Sequence, residues 1–79
     1  MMHTATRGES SLTAIVVNGE SRPLTTGSSL GDLLRSLAID PRMVVVERNR
    51  GILRDREAYD RLVLCEGDAI EIVHFVGGG

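Results

Sequence analysis

Val76-Gly77-Gly78-Gly79 closes the sequence, and this run is the feature best suited to chemistry. Glycine has no Cβ, so a glycine run can lie extended in a narrow channel. Read as a terminus, Gly79 presents an unhindered carboxylate. Such a group has a reference pKa of about 3.5, so it is ionised at neutral pH and a poor electrophile. It accepts a nucleophile only after activation, for example as an acyl-adenylate made from ATP. No glycine-rich phosphate loop precedes a helix in this chain, so the activation must come from a partner enzyme. The alternative for a bare glycine end is an inert one.

Other reactive residue types are sparse. Cys65 is the sole cysteine, so neither an internal disulfide nor a cysteine-based metal cluster can form. With no histidine beside it in sequence, it reads as a small hydrophobe or bystander. His74 lies on a strand-like segment, where a lone histidine is ordinarily packed or solvated. Arg48, Arg50, Arg54, Arg56 and Arg61 are interleaved with Asp55, Glu57 and Asp60, the pattern of a solvated surface rather than an anion site.

Composition narrows the function classes. The chain has 79 residues, enough for one domain with a thin core. A deep substrate pocket is not expected beside such a core. The formal net charge is −2, which argues against phosphate-driven nucleic-acid binding. Tyr59 and Phe75 are the only aromatic residues, so there is no base-stacking platform. All nine basic residues are arginine, so no lysine amine is available for an isopeptide or Schiff base. Residues 1–11 are polar and lack the apolar centre of a signal peptide. No apolar run approaches the ~20 residues of a membrane span. A cytoplasmic protein, with no membrane and no nucleic-acid partner, is expected.

The remaining sequence must position the glycine end. Residues 1–11 read as a flexible N-terminal extension. Leu12 to Val17 reads as a strand, Asn18-Gly19 as a hairpin turn and Glu20 to Thr25 as the returning strand. Pro23 puts that strand at an edge, because proline cannot donate to a ladder. Ser29 is a helix N-cap with Asp32 in the first turn. Leu30, Leu33, Leu34 and Leu37 then fall on one helical face, and the helix stops before Asp40-Pro41. Met43 to Glu47 reads as a strand, followed by an Asn49-Arg50-Gly51 turn and a short extended Ile52-Leu53. Arg54 to Arg61 reads as a helical turn or loop, and Arg61 to Cys65 as a further short strand. Glu66-Gly67-Asp68 is a turn, and Ala69 to Val76 is the last strand.

This order gives an α+β fold. A mixed sheet of four to five strands, its first and last strands parallel at the centre, carries one helix packed across one face. That is the ubiquitin-like β-grasp arrangement, here over residues 12–76 with a flexible glycine tail at 77–79. In the last strand Ile70 and Ile72 share one parity and face the helix. Glu71, Val73 and Phe75 share the other and face outward. Val73 and Phe75, with Val76 beside the tail, form a candidate partner-docking patch.

Asn18-Gly19-Glu20, Asp32-Leu33-Leu34, Val46-Glu47-Arg48-Asn49 and Glu66-Gly67-Asp68 resemble the ThiS family, as does the closing Glu71-Ile72-Val73-His74-Phe75-Val76-Gly77-Gly78-Gly79. The resemblance runs from about Leu12 to Gly79, and the last nine residues carry its most specific part. It implies a sulfur carrier of thiamine biosynthesis that is not itself an enzyme. Gly79 would be adenylated by an E1-like, ThiF-type adenylyltransferase that uses ATP; the carrier itself needs no cofactor. Sulfur from a cysteine-desulfurase-derived source would then give a thiocarboxylate, the donor to a ThiG-type thiazole synthase. Gly77 and Gly78 would supply reach. Two departures from the family pattern are Arg50 inside the second turn and the N-terminal extension. Other readings are a carrier for molybdopterin synthase or tRNA thiolation, a protein-conjugating modifier, or a non-covalent β-grasp adaptor.

Overall fold

The structure is a computed structural model that describes residues 11–75. Residues 1–10 of the extension expected at 1–11, and the end of the chain from Val76, lie outside the described residues. Five strands form one sheet: β1 (Leu12–Val17), β2 (Glu20–Thr25), β3 (Val44–Arg48), β4 (Gly51–Leu53) and β5 (Ala69–His74). One α-helix, α1 (Leu30–Ser36), lies between β2 and β3. The spatial order is β2-β1-β5-β3-β4. β5 is central, parallel to β1 and antiparallel to β3, so the β-grasp expectation holds with five strands.

Local chemistry explains each element. Asn18 and Gly19 have φ of 50° and 86°, and Asn49 and Arg50 have φ of 51° and 75°. Positive φ at both central positions makes each a two-residue turn whose twist matches its strands. β2 is an edge strand, and Pro23 sits in it opposite Ala14.

The helix starts with a reciprocal capping box. Ser29 Oγ accepts from the Asp32 N–H, and the Asp32 carboxylate accepts from the Ser29 N–H. It ends earlier than the proline alone requires. Ala38 takes φ 58°, its N–H bonds Arg35 C=O at 3.0 Å, and Ile39 N–H bonds Leu34 C=O at 2.9 Å. That pair of bonds is a Schellman closure with alanine at the left-handed position.

Leu30, Leu33 and Leu34 pack on Ile15, Val44, Val46, Ile70 and Ile72, all within the buried core. Leu37 is only partly buried against it. A 3₁₀ turn, Arg56–Arg61, packs against the helix and supplies Tyr59, whose hydroxyl donates to Leu53 C=O at 2.9 Å. Gly31 lies under this turn, and a Cβ there would overlap the Asp60 carboxylate.

Several boundaries differ from the sequence reading: β3 runs on to Arg48, β4 starts at Gly51, and β5 ends at His74, so Phe75 follows the strand rather than lying in it. Met43 belongs to a 3₁₀ turn, Pro41–Met43, so β3 starts one residue later. Arg61 to Cys65 is not a strand; only Ser29 and Val63 form an isolated bridge. Leu30 N–H bonds Leu62 C=O and Leu64 N–H bonds Ser28 C=O, both to the start of the helix. Leu62 and Leu64 therefore turn inward with strand-like alternation while lying outside the sheet. Among the described residues, no helix is long and apolar enough to cross a membrane.

Candidate docking face and the strand that leads to the glycines

β5 is the element that leads to the glycine run, and its backbone is held on both sides. On the β3 side, Val45 stands opposite Val73 and Val44 opposite His74. Phe75 N–H extends the ladder to Met43 C=O at 2.9 Å. On the β1 side the main-chain pairing covers only Ala69 and Ile70. There the Asn18 side chain takes over: Oδ1 accepts from Ile72 N–H at 2.7 Å and Nδ2 donates to Ile72 C=O at 3.3 Å.

The start of β5 is fixed by a second asparagine and a carboxylate. Asn49 N–H bonds Ala69 C=O at 2.7 Å, and Asn49 Oδ1 accepts from Ala69 N–H at 2.9 Å. Asp68 is buried at 7% exposure and receives donors from Cys65 N–H, Asn49 Nδ2 and the Arg48 guanidinium. Burial alone would raise its pKa, but those donors and the Arg48 charge outweigh it and hold the carboxyl below the usual range. Glu66, in the turn before β5, ties the same end to β1, its Oε1 accepting from Ala14 N–H at 2.9 Å.

Val73 and Phe75 are 56% and 50% exposed on the sheet face away from the helix, as their parity requires. Met43 and Ile52 are also exposed on that side, and Val45 is half-buried. A cleft of about 320 Å³ at the corner of this face is lined by Val45, Ile52, Leu53 and Tyr59, with Arg54 and Arg56. Val76, Gly77, Gly78 and Gly79 lie outside the described residues, so their geometry does not enter.

The other candidate groups are not brought together. His74 is exposed at the end of β5. Cys65 is exposed near its start, its Sγ 3.7 Å from Arg48 Nη2. Phe75 is six residue steps on from Ala69, a span of about 20 Å at ~3.3 Å per residue. The arginine run also divides. Arg48 is not simple solvated surface: it pairs with Asp68 at 2.8 Å and its side chain is only 23% exposed. Arg56 donates to Pro41 C=O and Val44 C=O, closing the sheet edge that β4 leaves uncovered. Sequence reasoning missed the roles of Asp68 and of both asparagines. The available signal was an asparagine opening each two-residue turn, one on either side of the central strand.

The comparisons with known proteins agree with this architecture. The model of the ThiS family matches residues 15–79. The sulfur carrier protein ThiS of Bacillus subtilis is 49% identical over 51 residues, covering 65% of this chain and 76% of that protein. A thiazole synthase of Magnetococcus marinus is 45% identical over 65 residues, covering 82% of this chain. A second, of Paramagnetospirillum magneticum, is 40% identical over 65 residues. The chain spans only 20% of the length of each of those two synthases. The crystal structure of the thiamine biosynthesis protein ThiS from Geobacter metallireducens superposes with a TM-score of 0.72 at 33% identity, covering 85% of this chain and 100% of that one. The five-stranded β-grasp sheet and a family match that runs through the final glycines lead to one conclusion: the chain belongs to the ThiS family.

Proposed function

We infer that this chain is a sulfur carrier of thiamine biosynthesis, working through the carboxylate of Gly79. The carboxylate attacks the α-phosphate of ATP on an adenylating enzyme, and pyrophosphate leaves. A persulfide then displaces AMP from the acyl carbon, and a thiol cleaves the resulting acyl disulfide, forming a new disulfide and leaving a thiocarboxylate that donates sulfur for thiazole formation. The observation that carries this is the extent of the family match, which includes Gly77, Gly78 and Gly79.

The chain is a carrier and co-substrate rather than an enzyme, and it acts in the cytoplasm. Its partners are a ThiF-type adenylyltransferase, a cysteine-desulfurase-derived sulfur source and a ThiG-type thiazole synthase. The last is supported by two proteins named thiazole synthase that contain a segment similar to this chain. Val73, Phe75 and Val76 dock the carrier, residues 12–76 form the folded domain, and residues 77–79 are a flexible tail that reaches the active site.

The test is ATP–pyrophosphate exchange by the cognate adenylating enzyme, using the wild type, a Gly79 deletion and a C-terminal alanine extension. Each change moves the carboxylate by about 3.5 Å, as much as the whole ~3–3.5 Å separation of a reacting pair. Exchange should be lost in both variants while circular dichroism is unchanged. Exchange at the wild-type rate in both would remove Gly79 from the active role and favour a non-covalent adaptor. Intact-mass measurement on protein from cells should show the oxygen-to-sulfur increase at the terminus.

A further inference from the structure

The outward face of the sheet carries two carboxylates in an arrangement that costs stability. Glu47 of β3 and Glu71 of β5 are directly opposed partners, and Ile52 stands across from Glu47 on β4. Like charges directly opposite in a sheet are destabilising. Neither carboxylate forms an ion pair among the described residues, although Arg35, Arg42 and Arg48 each find one. Glu47 is half-buried. The next row along the same strands is apolar, with Val45 opposite Val73, and Met43 and Phe75 are joined beyond it.

We propose that Glu47 and Glu71 receive an arginine or lysine from the enzyme that docks on this face, with the apolar row seating the side chains around that cation. This rests on the docking role proposed above for Val73 and Phe75. Two physical arguments from this pairing select a cationic partner. A symmetric pair of chains meeting on this face would bring two such glutamate pairs together, which disfavours self-association. A guanidinium placed between the two carboxylates instead removes their mutual repulsion and donates charge-assisted hydrogen bonds to both. The apolar surround lowers the local dielectric, which strengthens that pairing once water is excluded.

The experiment measures affinity for the purified adenylating enzyme of the same genome by titration calorimetry at low and high salt. The proteins compared are wild type, the Glu47→Gln/Glu71→Gln double variant and Phe75→Ala. The double variant should bind about 30-fold more weakly and lose most of its salt dependence. Its melting temperature should be unchanged or raised, because the cross-strand repulsion is gone. Phe75→Ala should also bind more weakly but keep the salt dependence. If Phe75→Ala weakens binding while the double variant matches wild type at both salt concentrations, the docking face stands and the cation is overturned. If neither change weakens binding, the docking role itself fails, and with it this proposal. If the double variant instead forms dimers and binds the enzyme normally, the glutamates serve only to keep copies apart, which also overturns the proposal.

Discussion

Asn18 and Ile72 are 54 residues apart in sequence, yet the asparagine side chain meets both backbone groups of Ile72, at 2.7 Å and 3.3 Å. The turn that reverses the first hairpin thereby continues the ladder along the central strand after β1 has ended. Asn18→Gly separates the two roles. Glycine keeps the positive φ but leaves the partly buried Ile72 N–H and C=O without partners. The expected loss is about 1–3 kcal/mol. Amide hydrogen exchange should show Ile72 losing protection more than Ile15. Unchanged exchange at Ile72 would show that water replaces the asparagine without cost.

Two residues occupy left-handed backbone that glycine fills more readily: Ala38 with φ 58° and Arg50 with φ 75°. The conformation costs a side-chain-bearing residue about 1–2 kcal/mol, against ~0.5–1 kcal/mol of extra chain entropy for glycine. Ala38→Gly and Arg50→Gly should therefore each raise stability, by about 0.5–1 kcal/mol. Chemical denaturation should show higher midpoints with the same slope. The sites belong to different connections, so the gains should add.

Much of the fold was legible because it is written in short periods. The leucines at i, i+3, i+4 and i+7 and the alternation through Ile70 and Ile72 determined which faces are buried. Pro23 located an edge. Arg61 to Cys65 misled for a physical reason: Leu62 and Leu64 alternate as in a strand, but their backbone bonds go to the helix start. Arg48 misled because its charged neighbours in sequence are not its neighbours in space; its partner, Asp68, lies 20 residues on. The outward patch of Val73 and Phe75 followed from parity. The glutamate pair between β3 and β5 did not, since it needs the register of two strands at once.

Asp68 should set the acid limit of the domain. Its carboxyl titrates lower when folded than the reference value of about 3.9, owing to its donors and to Arg48. Its contribution is therefore present above the unfolded pKa and fades as pH falls through the folded one. Melting temperature should drop below about pH 4, and the Asp68→Asn variant should be less stable at pH 7 with a flatter acid limb. Equal acid limbs in the two proteins would assign the sensitivity to other carboxylates.

Cys65→Ser should leave thiocarboxylate formation intact. The thiol sits at the start of β5, with Arg48 beside it and the length of the strand between it and Phe75. Sulfur loading by the cognate enzymes, read by intact mass, should match wild type. A large drop in a folded Cys65→Ser protein would bring the thiol into the transfer.

The placement of β5 also has a mechanical side. The strand lies between a parallel and an antiparallel neighbour, and the glycine run follows its final residues in sequence. Tension along the strand from that end loads the ladder to β3 in shear. Its bonds must then stretch together, whereas peeling from a sheet edge would break them one at a time. A pull applied beyond the C-terminal end of β5 therefore meets the ladder as a whole, and the domain resists it without unravelling from an edge.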